Sequence, residues 1–176
     1  TRCLIDILDQ IVDQGIDSSE SAYFYGLLYK AKKSNMIDDL MAYVDITDDT
    51  TRKKQCYWQM IRNIKKNDND PVLEAQLYLK AVNLYDEEYK YLASLLNSFA
   101  WRMTEIGQLL PEALEKVSYA LEIKEDLKIM DTKAEVLWKL GRVDEAIEVI
   151  NECIQGNPEY QYYQDQKAKF LATKAL

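Results

Sequence analysis

Residues 97–121, NSFAWRMTEIGQLLPEALEKVSYAL, and residues 131–154, DTKAEVLWKLGRVDEAIEVINECI, repeat one pattern 34 residues apart. Ala100 aligns with Ala134 and Gly107 with Gly141, while Glu112-Ala113 aligns with Glu145-Ala146. The register slips by one residue between the glycine and the Glu-Ala pair, so the first copy carries an extra turn residue. A helix, a glycine turn and a second helix recurring at this period is the mark of an array of helical hairpins.

The small residues give the pattern its physical sense. Antiparallel helices approach most closely where their facing side chains are small. Ala100 and Ala134 fall in the first helix of each copy, Ala113 and Ala146 early in the second, and Ala120 and Cys153 one heptad further on. Leu96, Met103, Val117 and Leu121 fill the spaces between them in one copy, and Met130, Leu137, Ile150 and Ile154 in the other. Each hairpin alone leaves an apolar face wet, so successive hairpins are expected to stack. The predicted class is all-α, built of stacked antiparallel helical hairpins. Composition agrees, since five glycines and three prolines in 176 residues leave few helix breakers.

Upstream the helices continue while the repeat fades. Ile5, Leu8, Ile11 and Val12 predict a short amphipathic helix ending near Gly15, and Asp17-x-x-Glu20 reads as the capping box of the next, running to about Lys33. Helices are also predicted from Met36 to Val44, from Thr50 to Ile64, from the Asp70-Pro71 start signal, and from about Asp86 into the first clear copy. After Pro158, Tyr160, Tyr163, Phe170 and Leu171 predict a last helix with one polar face, suited to capping the array. The expected division is 1–92 as degenerate helical repeats, 93–160 as two clear repeats and 161–176 as the capping helix. With no Ser/Gly/Pro-rich linker, these read as one continuous domain.

Several chemistries lack their residues. The chain has no histidine, which removes histidine bases and histidine-ligated metals. Its five scattered glycines build no phosphate-cradling loop. Cys3, Cys56 and Cys153 are too far apart for a C-x-x-C motif or a zinc site; Cys153 reads as a small core residue, and Cys3 near the terminus as the candidate reactive thiol. No metal and no cofactor is expected. There is no apolar run long enough to span a membrane, and no basic-then-apolar leader opens the sequence given. Because the chain opens on Thr1 and turns helical almost at once, it is expected to be a portion of a larger protein. Basic clusters at Lys30-Lys33, Arg52-Lys54 and Lys65-Lys66 are interleaved with Asp38, Asp39, Asp48, Asp49, Asp68 and Asp70. Residues 1–70 hold 10 basic against 12 acidic groups, and residues 71–176 hold 12 against 18, so no nucleic-acid footprint is expected.

The alternation of small and large positions resembles the tetratricopeptide repeat. The family's small and proline positions are occupied in the second copy by Ala134, Ala146, Cys153 and Pro158; the first copy keeps Ala100, Ala113 and Ala120 but lacks the closing proline, with Lys124-Glu125-Asp126 near that turn. The resemblance implies an α-solenoid with a right-handed superhelix, whose inner face comes from the first helix of each pair. By the repeat's numbering, that face holds Asn97, Trp101 and Glu105 from one copy and Asp131, Glu135 and Trp138 from the next. Aromatic anchors inside an acidic rim suit a peptide with apolar and basic residues. The other reading of Trp101 and Trp138 is plain packing against a neighbouring helix. Family members that clamp a chaperone's C-terminal carboxylate use lysine, asparagine and arginine. Asn97 matches one clamp position, but Asp131 and Glu135 would repel a carboxylate. About the last 90 residues also look similar to the helical C-terminal regions of bacterial thioredoxin-like disulfide oxidoreductases. That likeness implies an accessory domain and leans towards a bacterial periplasm, whereas the cysteine usage is equally compatible with cytoplasm.

The resulting expectation is a protein–protein interaction module that binds a protein or peptide, with no nucleic acid and no membrane, and with no bond-making step of its own. A homo-oligomerisation domain, giving a homodimer, is the alternative. A helical enzyme working through some of the 30 carboxylates is the third reading, although no spacing marks a catalytic pair.

Overall fold

The computed structural model describes residues 20–32, 36–68 and 70–174, and every regular element among them is helical. The predicted segment from Ile5 to Gly15, the Asp17 start signal and Cys3 lie outside the described residues. The chain divides into two compact units, one ending at Leu84 and the other beginning at Tyr85.

The first unit contains α1 (Glu20–Ala31), α2 (Ile37–Ile46), α3 (Thr50–Asn63) and α4 (Pro71–Val82). The side chain of Asp49 starts α3 by accepting from the amides of Thr51 and Arg52. Asp70 starts α4 in the same way, accepting from Val72 and Leu73, with Pro71 at the head of the helix where no amide donor is needed. Beyond Asn63, α3 widens into a π-helical turn over Ile64–Asp68. Asn63 Nδ2 donates to the carbonyl of Ala31 at 2.8 Å, satisfying an acceptor that the end of α1 would otherwise leave bare. Phe24, Leu27, Leu40, Cys56, Met60, Ile64 and Leu77 form the interior, each with almost no exposed surface.

The second unit contains α5 (Leu92–Ile106), α6 (Leu110–Ile123), α7 (Leu127–Lys139), α8 (Val143–Gly156) and α9 (Gln161–Lys174). Each helix packs on the next, and α5 also lies against α7, so the first helices of the two hairpins are neighbours. Ala100, Ala113, Ala120, Ala134, Ala146 and Cys153 are all fully buried. The large residues between them divide. Leu96, Met103, Val117, Leu137 and Ile150 are buried, while Leu121, Met130 and Ile154 are half-buried. From α9, Tyr163 and Phe170 close over Ala134, Leu137, Ala146, Ile150 and Cys153.

Both hairpin turns use one device. Gly107 (φ 67°) and Gly141 (φ 76°) take the left-handed conformation. The next amide bonds back five residues, Gln108 to the Met103 carbonyl at 3.2 Å and Arg142 to the Leu137 carbonyl at 2.9 Å. The second copy then enters α8 directly at Val143, whereas the first inserts Leu109, itself left-handed at φ 47°. Leu109 is the extra turn residue behind the register slip, and it occupies a backbone region that branched and bulky side chains disfavour.

One expected boundary is corrected. The helix expected from about Asp86 begins at Leu92, because i→i+3 bonds from Tyr89 to Asp86 and from Leu92 to Tyr89 turn the chain first. The Tyr89 ring meets those of Tyr85 and Tyr91 across this turn, with centroids 4.6 and 6.0 Å away.

Ala134→Leu is expected to overfill the contact between hairpins and lower stability by about 1–3 kcal/mol in chemical denaturation. A variant as stable as the parent would remove Ala134 from that contact. At Gly141 a Cβ would meet nothing within 4 Å, so Gly141→Ala carries only the left-handed backbone penalty. The expected loss is about 1 kcal/mol.

Candidate functional site

The second unit carries an open cavity of about 450 Å³ bordered by α5, α7 and the start of α9. From α5 come Asn97 and Trp101, one turn apart on a single face; from α7 come Lys128, Asp131 and Thr132, spaced to share a face as well. The remaining wall is Asn157 with the tyrosines of the run Tyr160-Gln161-Tyr162-Tyr163, whose rings contact one another at centroid separations of 4.9 to 6.0 Å.

Asp131 is the most perturbed acid of this wall. It is nine-tenths buried and accepts a hydrogen bond from the Tyr162 hydroxyl. Loss of hydration, followed by the nearby Glu135 charge, raises its pKa from 3.8 to about 6, against the opposing pull of Tyr162 and Lys169. Burial and the Asp131 charge push Tyr162 up to about 12, and burial does the same to Tyr163. Asn97 Oδ1 is buried with no hydrogen-bond donor. Gln166 donates its amide to Tyr162, and its Oε1 is likewise buried without a donor. Unpaired buried acceptors of this kind are uncommon and destabilising unless a guest or water supplies the missing donor.

The six residues expected on the inner face therefore separate. Asn97, Trp101 and Asp131 meet at the cavity. Glu105 is exposed beside it, accepting from the Trp101 indole at 3.0 Å and pairing with Arg102 at 3.0 Å. Glu135 is buried under α9, its Oε2 2.5 Å from Lys169 Nζ. Trp138 is also held by α9. Its ring stacks on Phe170 at 5.7 Å and 28°, its indole donates to Thr173 at 2.9 Å, and Lys169 Nζ sits 4.5 Å over it. Packing is thus the role of Trp138. Lys128, Thr132, Asn157 and the three tyrosines were not anticipated as lining residues; the run of three tyrosines in four positions was the available signal.

The first unit has its own cavity of about 570 Å³, bordered by Tyr25, Tyr29, Lys32, Trp58, Gln59 and Arg62 among others. Its Gln59 amide is engaged, accepting from Arg62 at 3.0 Å and donating to Asn63 at 2.9 Å. The second-unit cavity, with its buried Asp131 and the donor-less Asn97 Oδ1, is the stronger candidate. Burial pushes the thiols of Cys56 and Cys153 up to about 11 and about 12, so neither is a thiolate near neutral pH. Among the described residues no group of three or more Cys, Asp or Glu is placed to hold a metal ion, and no helix is long and apolar enough to cross a membrane. No protein-family model, curated protein or solved structure matches this chain.

The raised pKa of Asp131 has a definite sign in stability. A carboxyl easier to protonate when folded than when unfolded imposes no penalty below about pH 4; the penalty grows as pH rises and is complete above about pH 6. Asp131→Asn keeps an acceptor for Tyr162 and removes the charge. Its melting temperature is expected to exceed the parent's at pH 7.5, with the gap closing at pH 4. An unchanged or lowered value at pH 7.5 would show that Asp131 is well compensated where it lies.

Proposed function

We propose that this chain is a protein-interaction module of tetratricopeptide type, binding a segment of a partner protein on the face formed by the first helices of its two hairpins. The observation that carries this reading is the cavity where α5 meets α7, walled by Trp101 and a tyrosine cluster and bordered by Asn97, whose buried Oδ1 lacks a donor. Concave aromatic surfaces with a few convergent polar groups suit a side-chain anchor of a docked segment. Its buried Asp131 carboxylate favours a partner with basic as well as apolar residues. The mechanism is presentation of a shaped surface, and no step breaks or makes a bond. The accessory-domain relation to thioredoxin-like oxidoreductases and the homodimer remain expectations with no particular residue arguing for them.

Panning the protein against a random-peptide display library tests the reading. Enriched peptides are expected to bind Trp101→Ala at least about tenfold more weakly, the loss of one aromatic anchor, at an almost unchanged melting temperature. Trp138→Ala is expected to lower stability by about 2 kcal/mol instead, because it removes a ring packed on Phe170. Peptides that bind Trp101→Ala as they bind the parent would overturn the proposal.

A further inference from the structure

We infer that the cavity between α5, α7 and α9 seats the guanidinium of an arginine side chain, with Asp131 and Asn97 as its acceptors and Trp101 and the tyrosine run as its walls. This deepens the proposed function and rests on it, since the arginine belongs to the docked segment.

The inventory of hydrogen-bonding groups makes the case. A carboxylate offers roughly four acceptor sites, and Tyr162 is the donor that Asp131 takes from its wall. Asn97 Oδ1, on the facing helix, has none. The unmet demand is for N–H donors, and the buried charge on the wall is that of Asp131. An anion would meet Asp131, and a neutral apolar guest would leave both acceptors bare. A cation carrying several donors satisfies both conditions.

Cations already present do not fill this role. Lys169 is committed to Glu135 at 2.5 Å and lies over the Trp138 and Phe170 rings. Lys128 borders the cavity but is exposed, and its charge helps hold Asp126 ionised at the start of α7. Arginine suits the site better than lysine for three physical reasons. Its five donors point in fixed, divergent directions and so reach acceptors on two different helices; its planar group stacks on aromatic faces; and it is less strongly hydrated than an ammonium, so burial penalises it less.

The same geometry ties binding to pH. The groups facing Asp131 are Glu135 and Lys128 on its own helix, Lys169, Tyr162 and Tyr163 from α9, and Cys153 from α8. The pKa of Asp131, at about 6, lies within the range tested. Protonating it converts a charge-assisted pair into a neutral contact, so affinity falls on acidification.

The experiment titrates isotope-labelled protein with N-acetyl-arginine amide, following the Trp101 indole and Asn97 side-chain amide resonances. The lysine analogue and the uncharged citrulline analogue serve as comparisons. Arginine is expected to shift both resonances saturably, lysine to bind about threefold or more weakly, and citrulline about tenfold or more weakly. Asp131→Asn, which retains the fold, is expected to weaken arginine binding about tenfold, as is lowering the pH from 7.5 to 5. Citrulline binding as tightly as arginine, or full affinity in Asp131→Asn, overturns the inference. If library peptides bind in a Trp101-dependent way without arginine preference, this inference fails and the interaction module stands. If neither peptides nor the arginine probe bind, both fail.

Discussion

Six small side chains govern how near the helices of the second unit come to one another. Ala100, Ala113, Ala120, Ala134, Ala146 and Cys153 are fully buried, and each marks a place where a larger residue would hold two helices apart. Helices with such contacts pack with axes about 8–10 Å apart. Within a hairpin this brings the second helix flat against the first; between hairpins it sets α7 against both α5 and α6. The cavity follows from that arrangement. It opens where α5 and α7 present Asn97, Trp101, Asp131 and Thr132 towards the start of α9.

The two carboxylates of α7 show how a neighbouring helix decides between structure and site. Asp131 and Glu135 lie one turn apart and both are buried. Glu135 has a cation at 2.5 Å, Lys169, which also covers the rings of Trp138 and Phe170; it is part of how α9 is fixed. Asp131 has no cation in contact among the described residues; burial among aromatic rings, and then the Glu135 charge, hold its proton more firmly than usual, although the Tyr162 hydroxyl bond works the other way. A buried charge with incomplete compensation is a stability loss that folding alone does not call for. In the first unit, buried Glu74 likewise has a cation near it, Lys65 at 3.7 Å.

How much of this was legible before any coordinates depends on how local the cause is. The hairpins of the second unit were readable because alanine positions and left-handed glycines answer to contacts between helices adjacent in sequence. Even the slip of one residue was visible, and it became Leu109. The start of α5 was less so, since Asp86–Tyr91 has helix-compatible composition yet is turned by tyrosine contacts that no periodicity encodes. The bond from Asn63 to the end of α1 is likewise tertiary, and no periodicity encodes it. At the site, half of the expected face came together. Glu135 and Trp138 left it because α9 covers them, and the sequence of α9, polar on most sides, gave no sign of which ring it would meet.

That covering helix links the site to the stability of the unit. Tyr163 and Phe170 bury themselves against α7 and α8, and Tyr163, with Tyr162 and the preceding Tyr160, also forms a wall of the cavity. The cavity therefore exists in full only while α9 is docked, and the groups that dock it include two buried rings, the Lys169–Glu135 and Lys174–Asp144 pairs, and the Trp138–Thr173 and Tyr162–Asp131 bonds. A helix that buries only Tyr163 and Phe170 is a candidate to open before the others when the unit loosens. A guest held between α5, α7 and the tyrosines binds the closed arrangement alone, so occupancy must stabilise α9 by the free energy of that binding. Loosening α9 must weaken the guest by the same linkage. The interaction surface and the final helix are thus two aspects of one equilibrium, set by how firmly Phe170 and Tyr163 stay buried.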